Sequence, residues 1–164
     1  MFVVRSRCDC GRRFRLCVLA RDTCGSCLFA SAHRRTILRT DSRARADSHP
    51  SVPVIVFAKG AWFALRDMSP LDCNVVGLDW NMDREESRAA LPGKTLQGNM
   101  DPCLLYANFD TIRKETRNML KSFGPQRHIA NLGHGLYPDI EKDHVRCFVE
   151  AVKEFDWKKQ HQTA

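Results

Sequence analysis

VPVIVFA, residues 52–58, is a continuous run of apolar residues, four of them β-branched, and Lys59 and Gly60 end it. The run shows no polar alternation, which is typical of a strand that is buried on both faces of a parallel sheet. Similar but shorter runs predict three more strands, at residues 74–79, 94–99 and 128–132.

Helical patterns alternate with these runs. The predicted helices lie at residues 61–68, 84–90, 108–124 and 139–155. In the third, Asn108 is the predicted N-cap and Gly124-Pro125 supplies the C-terminal stop. In the fourth, Asp139 is the predicted N-cap. Alternating strands and helices predict parallel βα units with right-handed crossovers.

Four βα units make up about half of an eight-stranded (βα)₈ barrel, which takes about 250 residues. A doubly wound open sheet is the alternative. That fold usually carries a G-x-G-x-x-G pattern after a strand, whereas Gly133-His134-Gly135 is too short to count as one. The sequence therefore favours an α/β fold that is half of a TIM barrel.

Residues 1–51 differ from the rest of the chain in composition. They hold eleven arginines, no lysine and four aspartates, and so carry the whole net charge of +7, while residues 52–164 are neutral. The predicted boundary lies at Ser48 to Ser51. We expect two segments: 1–51, an irregular Arg/Cys-rich leader unrelated to the rest and disordered, and 52–164, the partial barrel.

Three interpretations of the leader remain open. Cys8-x-Cys10 and Cys24-x-x-Cys27 could hold zinc through thiolates. An Arg-rich, Ser-containing and acid-poor segment also fits an organellar transit peptide. The favoured interpretation is that the leader is unrelated to the barrel and comes from an alternative first exon or a misassigned gene start. Nucleic-acid binding is disfavoured because few aromatic residues accompany the arginines.

No apolar run approaches the roughly 18–20 residues that a membrane-spanning helix requires, so a membrane-spanning protein is not expected. The later cysteines, Cys73, Cys103 and Cys147, lack metal-ligand spacing and are predicted to be ordinary buried or partly buried thiols.

Polar residues and glycines that follow the predicted strands form the candidate site, because ligands bind at the carboxyl ends of parallel strands. His134 is the leading candidate: its glycine neighbours let the backbone approach a ligand, and imidazole can donate, accept or pair with a carboxylate. The alternative is a loop histidine that bonds only its neighbours. The other candidates are Asp79, Gln97, Asn99, Asn131, Gly133 and Gly135.

For Asp79, Gln97 and Asn99 the alternative role is to cap a helix or fasten a loop. Three aromatic residues near the strand ends are predicted to be rim packing: Trp62, Trp80 and Tyr137. The remaining histidines of this part of the chain are predicted to be surface or helix residues: His128, His144 and His161.

Five stretches resemble the carboxyl-terminal part of the uroporphyrinogen decarboxylase family. They are VPVIVFAKGAWFAL (52–65), VVGLDW (75–80), GKTLQGNMDPCLLYA (93–107), FGPQRHIANLGHGLYPDI (123–140) and HVRCFVEAVKEF (144–155). The resemblance is nearly continuous from 52 to 155, in the same order, and corresponds to about the last third of the family's enzymes. It implies that the four units are the carboxyl-terminal portion of the TIM barrel.

The resemblance further implies a cytoplasmic homodimer that works in haem biosynthesis without metal or organic cofactor. The family removes CO₂ from the four acetate side chains of uroporphyrinogen III to give coproporphyrinogen III. Protonation of a pyrrole α-carbon makes the ring an electron sink, and the acetate then loses CO₂ into it. The exocyclic carbon is reprotonated afterwards. A tetrapyrrole is therefore the expected partner, with neither nucleic acid nor membrane.

Residue by residue, His134 matches the family's substrate-binding histidine. Asn131, Gly133, Gly135, Asp79 and Asn99 are expected to contribute from the same loops. No catalytic residue is assigned, because the acidic ring-binding residue belongs to an amino-terminal part that residues 1–51 do not resemble. We therefore expect these 164 residues alone to be inactive or very weak. The alternative is a catalytically silent fragment that associates with a full-length subunit.

Overall fold

The strands of the computed structural model form one parallel sheet, and the structure describes residues 17–19 and 52–157. The strands lie side by side in chain order, each pairing in parallel with the next. They are β1 Cys17–Leu19, β2 Val54–Phe57, β3 Val75–Gly77, β4 Thr95–Met100 and β5 His128–Leu132. The four strands predicted from the sequence are thus confirmed, with β1 in addition.

Helices connect the strands from β2 onward and continue after β5. Two are 3₁₀ helices, η1 Trp62–Met68 and η2 Pro102–Tyr106, and three are α-helices, α1 Arg84–Ala90, α2 Phe109–Phe123 and α3 Lys142–Lys153. The helix predicted at 61–68 is thus a 3₁₀ segment, with a non-helical kink at Ala64.

The described helices pack on one face of the sheet, where alternate strand residues meet them. Val56, Val76 and Leu96 lie in the buried cluster together with Met119 and Phe148 from the helices. Because successive side chains of a strand point to opposite faces, the residues between them, such as Ile55 and Val75, lie on the other face. A parallel sheet with its helices on one side is a segment of a (βα)₈ barrel, and the predicted fold class is confirmed.

Helix α2 follows its predicted caps. The side chain of Asn108 accepts a hydrogen bond from the Thr111 amide at 2.9 Å, which satisfies one free N–H of the first turn. Gly124 ends the helix with a φ of 76°, a left-handed conformation that glycine adopts without steric cost. The buried face of the helix includes Ile112 and Met119.

The N-cap predicted for the last helix is wrong. Helix α3 begins at Lys142, and Glu141 occupies the cap position. The carboxylate of Asp139 instead accepts a hydrogen bond from the Tyr106 hydroxyl at 2.7 Å, a partner from a different part of the chain. A tertiary contact has therefore replaced the local capping bond that the sequence suggests.

The boundary predicted at Ser48 to Ser51 and the paired cysteines of the leader lie outside the described residues. In the described ranges, no helix has the length and apolar character needed to cross a bilayer. Within those ranges, likewise, no three His, Cys, Asp or Glu side chains are grouped to hold a metal ion. Cys73 and Cys147 are buried as predicted, whereas Cys103 is exposed.

Candidate functional site

The loops that follow β2 and β3 are joined by the carboxylate of Asp79. This side chain is 2% exposed. Its Oδ2 accepts a hydrogen bond from the Gly60 amide at 2.6 Å, and its Oδ1 accepts one from the Trp80 amide at 2.9 Å. Two backbone N–H groups therefore solvate this buried charge and fix the two loops together.

Asn99, at the end of β4, fastens the same region from the next strand. Its Nδ2 donates to the carbonyl of Asp79 at 3.0 Å and to that of Met82 at 2.7 Å. Its Oδ1 accepts a hydrogen bond from Nε of Arg84 at 3.0 Å. The loop-fastening role, the alternative at the sequence level, accounts for these bonds, and a substrate contact by Asp79 or Asn99 stays a prediction.

Gly133 brings the loop after β5 against the loop after β3. A Cβ added at Gly133 would lie 2.2 Å from the backbone nitrogen of Trp80, a separation that no side chain could occupy. The Gly133 amide also donates to the Met100 carbonyl at 2.8 Å. The close approach requires glycine here, whereas a Cβ on Gly135 would meet nothing within 4 Å.

His134 follows directly and is half-buried at this edge of the sheet. Its Nδ1 lies 2.9 Å from the Gly135 carbonyl oxygen. A carbonyl oxygen can only accept, so Nδ1 carries the hydrogen and the neutral ring has its lone pair on Nε2. Nε2 has no hydrogen-bond partner within the described residues. It can accept from an N–H group when neutral, and donate to a carboxylate when the ring is protonated.

Tyr137 and Tyr106 extend this arrangement. The rings of His134 and Tyr137 meet edge to face with centroids 5.6 Å apart, and Tyr137 stacks on Tyr106 at 6.5 Å. The hydrogen bond to the Asp139 carboxylate raises the pKa of Tyr106 to about 12. Sequence reasoning missed Tyr106, although Asp101-Pro102, an N-cap followed by proline, signals the helical turn that carries it.

No hydrogen bond joins Asn131 or Gln97 to His134 in the described region. Oδ1 of Asn131 accepts from the next amide, that of Leu132, at 2.9 Å. Gln97 lies in the middle of β4, is 5% exposed, and its Oε1 has no hydrogen-bond partner in the described part of the chain. The structure therefore brings Asp79, Asn99 and Gly133 together but leaves Gln97 and Asn131 outside that network.

His128 was predicted to be a surface or helix residue, and this is wrong. It begins β5, is 8% exposed, and stacks on the ring of Phe123 with centroids 4.1 Å apart. Its Nε2 lies 2.7 Å from the Gly98 carbonyl oxygen, to which it donates. Burial lowers its pKa to about 4 against the opposing effect of the Gly98 bond, and Arg88 and Arg84 lower it further.

The known protein family that matches this chain agrees with the barrel geometry. The family model described as uroporphyrinogen decarboxylase (URO-D) matches residues 17–155. The chain belongs to the uroporphyrinogen decarboxylase family. The match begins at Cys17, inside the segment 1–51 that the sequence predicted to be unrelated, and at the residue where β1 begins.

Individual family members give the same result. The chain is 54% identical to uroporphyrinogen decarboxylase of Ovis aries over 103 residues, which are 62% of this chain and 28% of the relative. It is 48% identical to that of Salinibacter ruber over 108 residues, 65% of this chain and 30% of the relative. It is 46% identical to the Homo sapiens enzyme over 127 residues, which are 76% of this chain and 34% of the relative. The chain thus spans about a third of the length of these curated relatives.

Proposed function

We propose that this chain supplies part of the substrate site of a uroporphyrinogen decarboxylase. In that reaction each acetate side chain of uroporphyrinogen III loses CO₂ and gains one proton to become a methyl group. The atoms and electrons of this reaction therefore balance without a redox cofactor. Membership of the family and the (βα) geometry support the proposal. Relatives that carry the name of this enzyme at 46–54% identity support it as well.

One observation carries the assignment of a residue to this function. His134 lies at the carboxyl end of the sheet with Nδ1 held by the Gly135 carbonyl and Nε2 without a partner in the described region. The protonated ring would donate from Nε2 to an acetate or propionate carboxylate, and the neutral ring would accept from a pyrrole N–H. Gly133 admits the Trp80 backbone beside it, and the space next to Gly135 is open.

Among the candidate site residues of the described region, only Asp79 carries a carboxylate that could counter the ring charge. The buried carboxylate of Asp79 is engaged by the Gly60 and Trp80 amides. We therefore propose that the ring-binding acid comes from a segment that these 164 residues do not match. Binding by His134 and turnover by the whole enzyme are then separable properties.

An anaerobic decarboxylation assay tests this proposal. Uroporphyrinogen III is supplied to the purified 164-residue chain, and products are separated by their number of carboxylates. We expect no turnover by soluble, monodisperse chain. Products with fewer carboxylates that disappear in His134→Ala would show that the proposed incompleteness is wrong.

A second candidate function is association with a full-length subunit without catalysis. In the described sheet β5 pairs only with β4, so its other edge presents free backbone groups. Co-expression with a full-length family member, followed by size-exclusion chromatography, tests this function: a complex supports it, and two separate peaks contradict it.

Three finer properties belong to the same proposal. We propose that the whole protein acts on a carboxylated tetrapyrrole as a homodimer in the cytoplasm. We also keep the two-segment division at 1–51 and 52–164 as a proposal. Asp79, Asn99, Asn131, Gly133 and Gly135 are proposed as loop contributors to the site rather than as catalytic groups.

A further inference from the structure

Residues 134–139 form the loop that carries His134, and Tyr106 makes the side-chain contacts that join this loop to a distant part of the described structure. Among the described residues, every hydrogen bond and ring contact that the loop makes beyond its own neighbours goes to Tyr106. The hydrogen bond and the ring contact of the His134 side chain go to Gly135 and Tyr137, both in its own loop. Its orientation therefore depends on what holds Tyr137.

Tyr106 makes two independent contacts with the loop. Its ring stacks on Tyr137 with an interplanar angle of 29°, and its hydroxyl donates to the Asp139 carboxylate at 2.7 Å. One contact precedes Pro138 and the other follows it, so the two together fix both sides of the turn at 138–139. Hydrogen bonds to a charged acceptor are stronger than neutral ones, and aromatic pairs add to the burial of their rings.

Tyr106 itself is held at the end of β4. It is the last residue of η2. Asp101 caps the first turn of η2 by accepting a hydrogen bond from the Cys103 amide at 2.8 Å, and Leu105, which precedes Tyr106, is fully buried. The anchor therefore directly follows β4, the strand next to β5, and although the Tyr106 side chain is itself half exposed, the neighbouring Leu105 fixes its backbone to the core. This is the arrangement expected of a support for a binding side chain.

We propose that Tyr106 is a positioning residue for His134, acting through its stack on Tyr137 and its hydrogen bond to Asp139. The functional consequence rests on the proposed function, since His134 is the substrate contact there. The positioning itself is a property of the ligand-free chain. It can therefore be tested whether or not a tetrapyrrole binds.

The experiment is two-dimensional ¹H–¹³C NMR of the histidine rings in the full 164-residue chain, with His134→Gln to assign the His134 signals. The edge-to-face contact with Tyr137 shifts these signals away from their positions in an unfolded chain. We expect Tyr106→Phe to move them part of the way back and Tyr106→Leu to move them further. Asp139→Asn keeps an acceptor for the hydroxyl and should retain the signals of the parent.

Tyr137→Phe is the matched control, because it removes a phenol from the same ring pair while the Tyr106–Asp139 hydrogen bond stays. It should leave the His134 signals near those of the parent. The signals of His128, which is stacked on Phe123 and bonded to the Gly98 carbonyl, report whether each variant is folded. His134 signals that are unchanged in Tyr106→Leu, or that are already at the unfolded position in the parent, would overturn the proposal.

Binding of uroporphyrinogen III gives a second readout. The affinity should fall in Tyr106→Phe, because the loop loses its hydrogen bond between Tyr106 and Asp139, and should stay at the parent value in Tyr137→Phe. If the histidine signals behave as expected but the parent does not bind, the positioning role stands and the proposed function fails. If the parent binds and the His134 signals ignore Tyr106, the positioning role fails alone.

Discussion

Gly133 and Trp80 are in backbone-to-backbone contact, although one follows β5 and the other follows β3. A Cβ at position 133 would stand 2.2 Å from the Trp80 nitrogen and 2.5 Å from its Cα. Neither neighbour is the end of a flexible side chain, so the loops would have to separate to admit even a methyl group. The same Trp80 amide donates to Asp79, so this contact couples two of the predicted site residues, Asp79 and Gly133, with the position of His134.

Gly133→Ala is therefore expected to destabilise the chain by about 1–3 kcal/mol through overpacking. Gly135→Ala is the matched control two residues away, where an added Cβ meets nothing within 4 Å, and it should change stability very little. Urea unfolding of both variants measures the difference. Equal stabilities would contradict the close approach of the two loops.

Asn99→Asp should destabilise the chain by about 1–3 kcal/mol at neutral pH, because it removes two donated hydrogen bonds and places a carboxylate against two carbonyl oxygens, while the stronger bond from Arg84 offsets only part of this loss. Those oxygens belong to Asp79 and Met82. Asn81→Asp makes the same change at an exposed position of the neighbouring loop and should have little effect. Thermal and urea unfolding compare the two, and a similar loss in both would show that Asn99 does not fasten the loops.

The stability of the chain should fall as the pH drops from about 6.5 towards about 4, because His128 is buried in its neutral form. Its folded-state pKa of about 4 lies below the ordinary 6.5, so the unfolded chain binds the proton first in that window. The contribution of neutral His128 to the free energy of unfolding is complete above pH 6.5. It is lost progressively below it, for a total of about 3 kcal/mol.

His128→Gln keeps a donor for the Gly98 carbonyl but cannot titrate. The variant should be less stable than the parent at pH 7, since it loses the stack on Phe123, and its stability should depend less steeply on pH between 6.5 and 5. Urea unfolding across this range gives both slopes. Parallel slopes for parent and variant would show that His128 is not the group responsible.

Tyr106 should ionise well above an ordinary tyrosine. The chain has only two tyrosines, so Tyr137→Phe leaves Tyr106 as the single phenol. Its tyrosinate absorbance should appear near pH 12, and adding Asp139→Asn should move the transition towards 10, because the acceptor is no longer charged. A midpoint near 10 in Tyr137→Phe with Asp139 intact would mean that the Tyr106–Asp139 hydrogen bond does not form in solution.

Local signals predicted those parts of the fold that depend on neighbouring residues. Asn108 and Gly124 define helix α2 through bonds and backbone angles within a few residues of themselves, and the structure has both caps. Asp139 carries the same kind of local signal, yet its carboxylate is bonded to Tyr106, 33 residues away. A cap residue that finds a stronger distant partner cannot be recognised from its own neighbourhood.

In the candidate site, too, local features could be predicted from the sequence and contacts between distant residues could not. The position of His134 at the end of the last strand followed from its glycine neighbours and from the order of the strands. The burial of His128 could not be foreseen, because it depends on the ring of Phe123 and on the Gly98 carbonyl from two other elements. The contact between Gly133 and Trp80 is a property of the folded loops, and no spacing in the sequence indicates it.

The most direct test of the substrate assignment is an anaerobic titration of the 164-residue chain with uroporphyrinogen III, followed through the NMR signals of the His134 and His144 rings. His144 is the internal control, since it lies in helix α3 with its ring packed edge to face against Phe109 and is no part of the candidate site. We expect the His134 signals to shift and saturate while those of His144 stay in place. His134 signals that do not respond, or that move no further than those of His144 at every concentration, would contradict the role of His134 as a tetrapyrrole contact.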